Sequence, residues 1–186
     1  MKTLFISLLM LSMTSMVSAQ GRKISGVTFP PEMDIKGTSL FFNGCGLREK
    51  YTLDLYVAGL YLDKPTMDAN KVINADAAQA IKIVIVSSKV TRDKFNESVK
   101  EGFANAAPYK ATPDQIKSFK SFFAAPFKVN DEINMIYKPG KGTLVTINGQ
   151  FKGIIKGLPF KKALFVIWLG NKPAQAKLKK GMMGQI

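Results

Sequence analysis

The run from Tyr51 to Leu62 sets the tightest limit on how this chain can fold. It is rich in Leu, Tyr and Val, and over its first half apolar and polar residues alternate with a period of two, as a half-buried strand requires. On that period Tyr51, Leu53, Leu55 and Val57 share one face, expected to meet a core. Thr52, Asp54 and Tyr56 share the other, a partly polar side that can meet a ligand. Thr38 to Asn43 and Ala80 to Val86 read as further strands.

Helical spacing follows. Thr91 can cap a helix with apolar positions at Phe95, Val99 and Phe103, and Val90 is placed to staple against Phe95. Thr112, Pro113 and Gln115 give a capping box with proline in the first turn of a second helix. Its stripe is Ile116, Phe119, Phe122 and Phe123, and Pro126 limits it. Strands are expected again at Glu132 to Tyr137, Thr143 to Asn148 and Gln150 to Ile155, with Asn148-Gly149 as a tight hairpin. A buried helix at Ala163 to Leu169 ends at Gly170, and a last helix starts near Pro173. This order predicts one α+β domain over residues 20–186, with helices on one face of a largely antiparallel sheet and a cleft between the layers.

Composition narrows the chemistry. The 186 residues include no histidine and one cysteine, which excludes a histidine-based nucleophile, a histidine-ligated metal and an internal disulfide. No metal or cofactor is expected. What remains is chemistry by arginine, lysine, tyrosine or carboxylates, or none.

Residues 1–19 have the three parts of a secretory signal peptide: Lys2, the apolar run Leu4 to Leu11, and small and polar residues ending at Ala19. The apolar run is too short for a bilayer span. Cleavage is expected after Ala19, giving a periplasmic or secreted protein. Removing the leader takes away Lys2 alone of the 27 basic residues, so the formal charge falls from +14 to +13. Residues 133–186 hold ten lysines and no acid. Export argues against a nucleic-acid partner. Contact with an anionic membrane surface or an acidic small ligand fits the charge better, beside the plain reading of a solvated lysine coat. Oligomeric state is not readable from these residues.

Only Arg22, Arg48 and Arg92 supply guanidinium groups, and Arg48 alone lies in a segment expected to punctuate two strands, Gly44-Cys45-Gly46-Leu47-Arg48. Glycines there permit a bulge that turns Arg48 inward toward Tyr56, where a planar fork and a hydroxyl suit a carboxylate or enolate oxygen. Spacing alone favours a solvated arginine at a strand end.

That segment, the strand Leu55 to Leu62 and the ending Ala163 to Gly170 together resemble the chalcone isomerase-like family, in its bacterial exported branch. The likeness runs from about Val27 to Gly184. It implies an open-faced β-sandwich, a large antiparallel sheet covered by a layer of helices. The family holds plant enzymes that close a chalcone to a flavanone, fatty-acid-binding proteins and other non-catalytic relatives. Arg48 matches the arginine these functions use. Tyr56 stands where the enzymes have a threonine, as in the fatty-acid binders, and Phe95, Gly102 and Ile167 stand where the enzymes carry polar side chains.

The resemblance therefore implies a non-catalytic protein that holds an amphipathic carboxylate through Arg48 and Tyr56. An isomerase acting on an enone, with Arg48 as electrostatic catalyst, is the alternative, and a structural or interaction domain without a small ligand is the second.

Overall fold

The computed structural model describes residues 21–186 except Lys36, so the leader expectation concerns residues outside those described. Among the described residues nine strands and five helices follow one another as β1 (Arg22–Ile24), β2 (Val27–Phe29), β3 (Glu32–Asp34), β4 (Ser39–Lys50), β5 (Leu53–Leu62), α1 (Ala69–Asn74), β6 (Gln79–Ile85), α2 (Arg92–Ala104), α3 (Pro113–Ser121), β7 (Glu132–Lys138), β8 (Gly142–Ile147), β9 (Gln150–Ile155), α4 (Leu158–Leu169) and α5 (Ala176–Met182). β3 to β9 form one antiparallel sheet in sequence order, and β1 and β2 form a separate hairpin. This is the expected α+β layer, with helices over one face. Among the described residues no helix is long and apolar enough to cross a membrane.

The turn chemistry explains much of the register. Asn148 and Gly149 both take positive φ, 51° and 76°, so the two-residue loop matches strand twist and fixes β8 against β9. Thr112 and Gln115 form the reciprocal capping box that starts α3. Thr91 accepts from the Lys94 N–H at the start of α2, and Val90 and Phe95 are buried in the same core.

That core fills the space between sheet and helices. Ile81, Ile83, Ile133 and Met135 meet Phe103, Phe119, Phe160 and Leu164 there. A smaller core on the opposite face packs Val57, Tyr61 and Ala80 beneath Phe29 of the β1–β2 hairpin. The open face of the sandwich is thus partly closed by an element the pattern did not signal.

Two sequence expectations change. Gly44 to Arg48 does not break two strands; it lies inside β4, paired with β5 from Phe41 to Lys50. The glycines serve close approach. A Cβ on Gly44 would sit 2.3 Å from the Gly181 carbonyl oxygen and one on Gly46 2.7 Å from that of Leu178, so α5 lies directly on the strand. The second change is the face assignment of β5. Arg48 pairs with Tyr56 but Glu49 with Asp54, so Leu55 is an extra residue in a β-bulge. The bulge reverses the alternation: Leu53, Leu55 and Tyr56 line one cavity, while Val57 faces the opposite core.

Some lysines of the basic final third close helix ends instead of coating the surface. Lys161 is 0% exposed, and its Nζ donates to the carbonyls of Val72, Ile73 and Ala75, at 2.6, 3.1 and 3.0 Å, where α1 ends. Lys179 donates to the carbonyl of Gly170 at the end of α4. Burial pulls the Lys161 ammonium down to about 7, with neighbouring Lys162 adding to the shift and Asp76 opposing it.

Candidate ligand cavity

A cavity of about 540 Å³ opens between the sheet and the helices. Arg48, Leu55 and Tyr56 form its sheet wall. Phe95, Val99 and Gly102 of α2 face them, Ile167 and Trp168 of α4 close the inner side, and Pro173 and Ala174 follow α4. The volume lies in the range of roughly 300–1,000 Å³ usual for small-molecule sites.

Register brings Arg48 and Tyr56 together, since the two residues are directly opposed across β4 and β5. Arg48 is half-buried and its Nη1 donates to the Glu49 carbonyl oxygen at 2.6 Å. The neighbouring carboxylate does not neutralise it. Glu49 is drawn toward α5, its backbone N–H donating to Gln175 Oε1 at 2.9 Å and its carboxylate paired with Lys177 at 3.1 Å. Among the described residues Arg48 has no ion pair. A guanidinium has five N–H donors, so most of the fork remains available to the cavity.

Tyr56 is oriented by a residue whose part the sequence did not reveal. Trp168 Nε1 donates to Tyr56 Oη at 3.1 Å. The hydroxyl accepts from indole on one side and keeps its own proton for another acceptor. Burial raises the phenol above its ordinary value, and the Trp168 hydrogen bond and the Arg48 charge act in the other direction. Nothing in spacing links positions 56 and 168; only the packing of α4 over β5 does.

Other residues with chemistry or aromatic surface lie apart from the cavity. Phe119 and Phe123 do not line the cavity; they belong to an aromatic cluster with Phe95, Phe103, Phe127 and Phe160 in the core. Cys45 is buried toward the opposite core, and burial pushes its thiol up to about 11. Asp54, expected on the polar strand face, accepts from Ser25 Oγ at 3.2 Å. Among the described residues no three Cys, Asp or Glu side chains are grouped as metal ligands would be.

The sequence profile described as chalcone isomerase-like matches residues 21–184. The chain belongs to the chalcone isomerase-like family. Comparison with curated protein sequences gives no match. Among solved structures, a fatty-acid-binding protein of Arabidopsis thaliana superposes with a TM-score of 0.69, covering 86% of this chain and 92% of that one at 21% identity. At that identity the likeness establishes the shared chalcone isomerase-like fold. Within this family member, all three positions at which the enzymes' polar side chains were expected, Phe95, Gly102 and Ile167, fall on the cavity wall.

Proposed function

We propose that this protein is a non-catalytic carrier that holds an amphipathic carboxylate, such as a fatty acid, in the cavity between sheet and helices. One observation carries the reading: an arginine without an ion pair among the described residues stands beside a hydroxyl that accepts from Trp168, at one wall of a cavity whose inner side, Leu55, Val99, Ile167 and Trp168, is apolar. Arg48 would form a charge-assisted pair with the carboxylate and Tyr56 would donate a second hydrogen bond. The chain would lie against Leu55, Val99, Ile167 and Trp168. The Arabidopsis relative is named for fatty-acid binding, which supports the reading through the fold they share.

The enone-isomerase alternative gives Arg48 the task of stabilising developing negative charge. Phe95, Gly102 and Ile167 offer such a reaction no hydrogen bond where the family's enzymes have one. We further propose that the carrier works outside the cytoplasm, after removal of residues 1–19. Mass analysis of the purified chain tests this, with Gln20 as the expected first residue.

Solvent extraction of the purified protein followed by mass spectrometry tests the ligand. A co-purified amphipathic acid is expected, displaced in titration by added fatty acid. A protein that carries none and binds none on titration would return the reading to a structural domain.

A further inference from the structure

The mouth of the cavity combines features that carboxylate binding inside does not require. Three chain segments converge there, the β4–β5 turn with the strand residue on either side of it, the β6–α2 loop with the first turn of α2, and the α4–α5 loop. Each brings lysine: Lys50 from the first, Lys89 and Lys94 from the second, Lys172 from the third. All four are exposed, and none forms an ion pair among the described residues. The acids at the mouth, Glu97 and Glu101, both lie on α2, and Glu97 is within 3.8 Å of Lys100.

Between these lysines the β4–β5 turn projects an apolar tip. Tyr51 is 93% exposed and Leu53 45% exposed, although both line the same cavity. Tyr51 has φ 56°, which turns it out of the strand, and Lys50 Nζ stands 5.9 Å from its ring. Water gives a leucine and an aromatic face nothing in return for exposure. A bilayer boundary gives them acyl contact while the phenol stays hydrated, and lipid phosphates answer the surrounding ammonium groups. Only Lys172 of this collar comes from the basic final third of the chain. The match is therefore made by the fold and not by the charge gradient along the sequence.

We propose that this mouth docks on an anionic phospholipid surface, with Tyr51 and Leu53 entering the headgroup boundary and the four lysines seated on phosphates. A ligand can then pass between bilayer and cavity without crossing water. The adsorption stands by itself; only the passage of ligand rests on the proposed carrier function.

Flotation of the mature chain with vesicles tests it. Wild type is expected to float with phosphatidylcholine vesicles containing phosphatidylglycerol, to stay behind with phosphatidylcholine alone, and to be released by salt. Lys50→Gln, Lys89→Gln, Lys94→Gln and Lys172→Gln should each lower affinity about fivefold. Tyr51→Ser combined with Leu53→Ser should lower it about tenfold with every charge intact. Neutralising Lys128, Lys141, Lys152 and Lys156, exposed lysines outside the mouth, should leave most binding in place. In a Tyr51→Trp chain the added indole emission should move to the blue on the anionic vesicles.

Equal flotation with both vesicle types, flotation with neither, or equal loss from the two lysine quartets would overturn the docking. An unchanged Tyr51→Trp emission would do the same. The carboxylate-binding reading fails separately: a protein that floats as expected but binds fatty acid equally well after Arg48→Met keeps its docking face and loses its carboxylate site.

Discussion

Two cations lie beneath the helix layer, near opposite ends of the strands, and the structure treats them differently. Tyr56, opposite Arg48, pairs with Ile85 at one end of β6, whereas Gln79 at the other end pairs with Tyr137, whose ring lies 5.7 Å from Lys161 Nζ. Lys161 is fully enclosed and spends all three of its N–H donors on the carbonyls that end α1. Among the described residues Arg48 makes one backbone hydrogen bond, has no carboxylate partner and borders a cavity. A satisfied buried cation is part of the frame. An under-occupied one keeps donors to spare, which is what the proposed carboxylate site uses.

The comparison breaks most visibly if stability and binding fail to separate. Lys161→Met leaves buried carbonyls without a donor and should lower unfolding stability by about 3 kcal/mol, read in urea melts, with little change in ligand affinity. Arg48→Met should do the reverse. Losing a charge-assisted hydrogen bond of ~1.5–3 kcal/mol weakens fatty-acid binding by one to two orders of magnitude, while the melt stays near wild type. A methyl ester should bind wild type weakly and be nearly indifferent to the substitution. Equal losses for acid and ester would mean that Arg48 shapes the wall and does not hold the head group.

The pH response sharpens the same contrast. The folded-state value for Lys161, about 7, lies below the 10.5 of the free side chain, so between them the unfolded chain binds the extra proton. Stability should therefore rise with pH above 7 and be lost as pH falls back through 7, by ~1 kcal/mol per pH unit. Melts between pH 7 and 8 check it, below the range from about 9 upward where the unfolded chain sheds the Cys45 and Tyr137 protons that the fold retains, which acts in the opposite sense. Lys161→Met should flatten the slope, and Arg48→Met should leave it unchanged.

The smallest effect belongs to Tyr56→Phe. Removing one neutral hydroxyl should reduce affinity only several-fold, by ~1 kcal/mol. Because Trp168 loses its acceptor at the same time, its emission should change even without ligand.

Local periodicity and turn chemistry carried most of the fold. The capping box at Thr112, the Asn148-Gly149 hairpin and the strand runs are decided by near neighbours, so they were legible in the sequence. β1 to β3 and the short α1 were not, since segments of three to six residues carry too little periodicity to register. The face assignment of β5 failed because one extra residue, Leu55, reverses an alternation and leaves no mark in composition. At the cavity, the chain showed Arg48 and Tyr56 as a pair of suitable groups. It did not show that Lys177 and Gln175 draw Glu49 away from the guanidinium, or that Trp168 sets the direction of the hydroxyl, because those contacts join residues more than 100 positions apart.

The closeness of α2 and α4 at Gly102 limits how this wall can evolve. A Cβ placed on Gly102 would come within 2.8 Å of Ile167, a β-branched side chain with little freedom to turn aside. A polar side chain introduced at 102 alone collides, and a smaller hydroxyl residue at 167 alone leaves a void in the cavity wall. Made together, each change removes the fault of the other. Between this wall and one with a polar pair at these positions, the passable mutational path runs through position 167 first and 102 second, and each single step is judged by selection before its partner arrives.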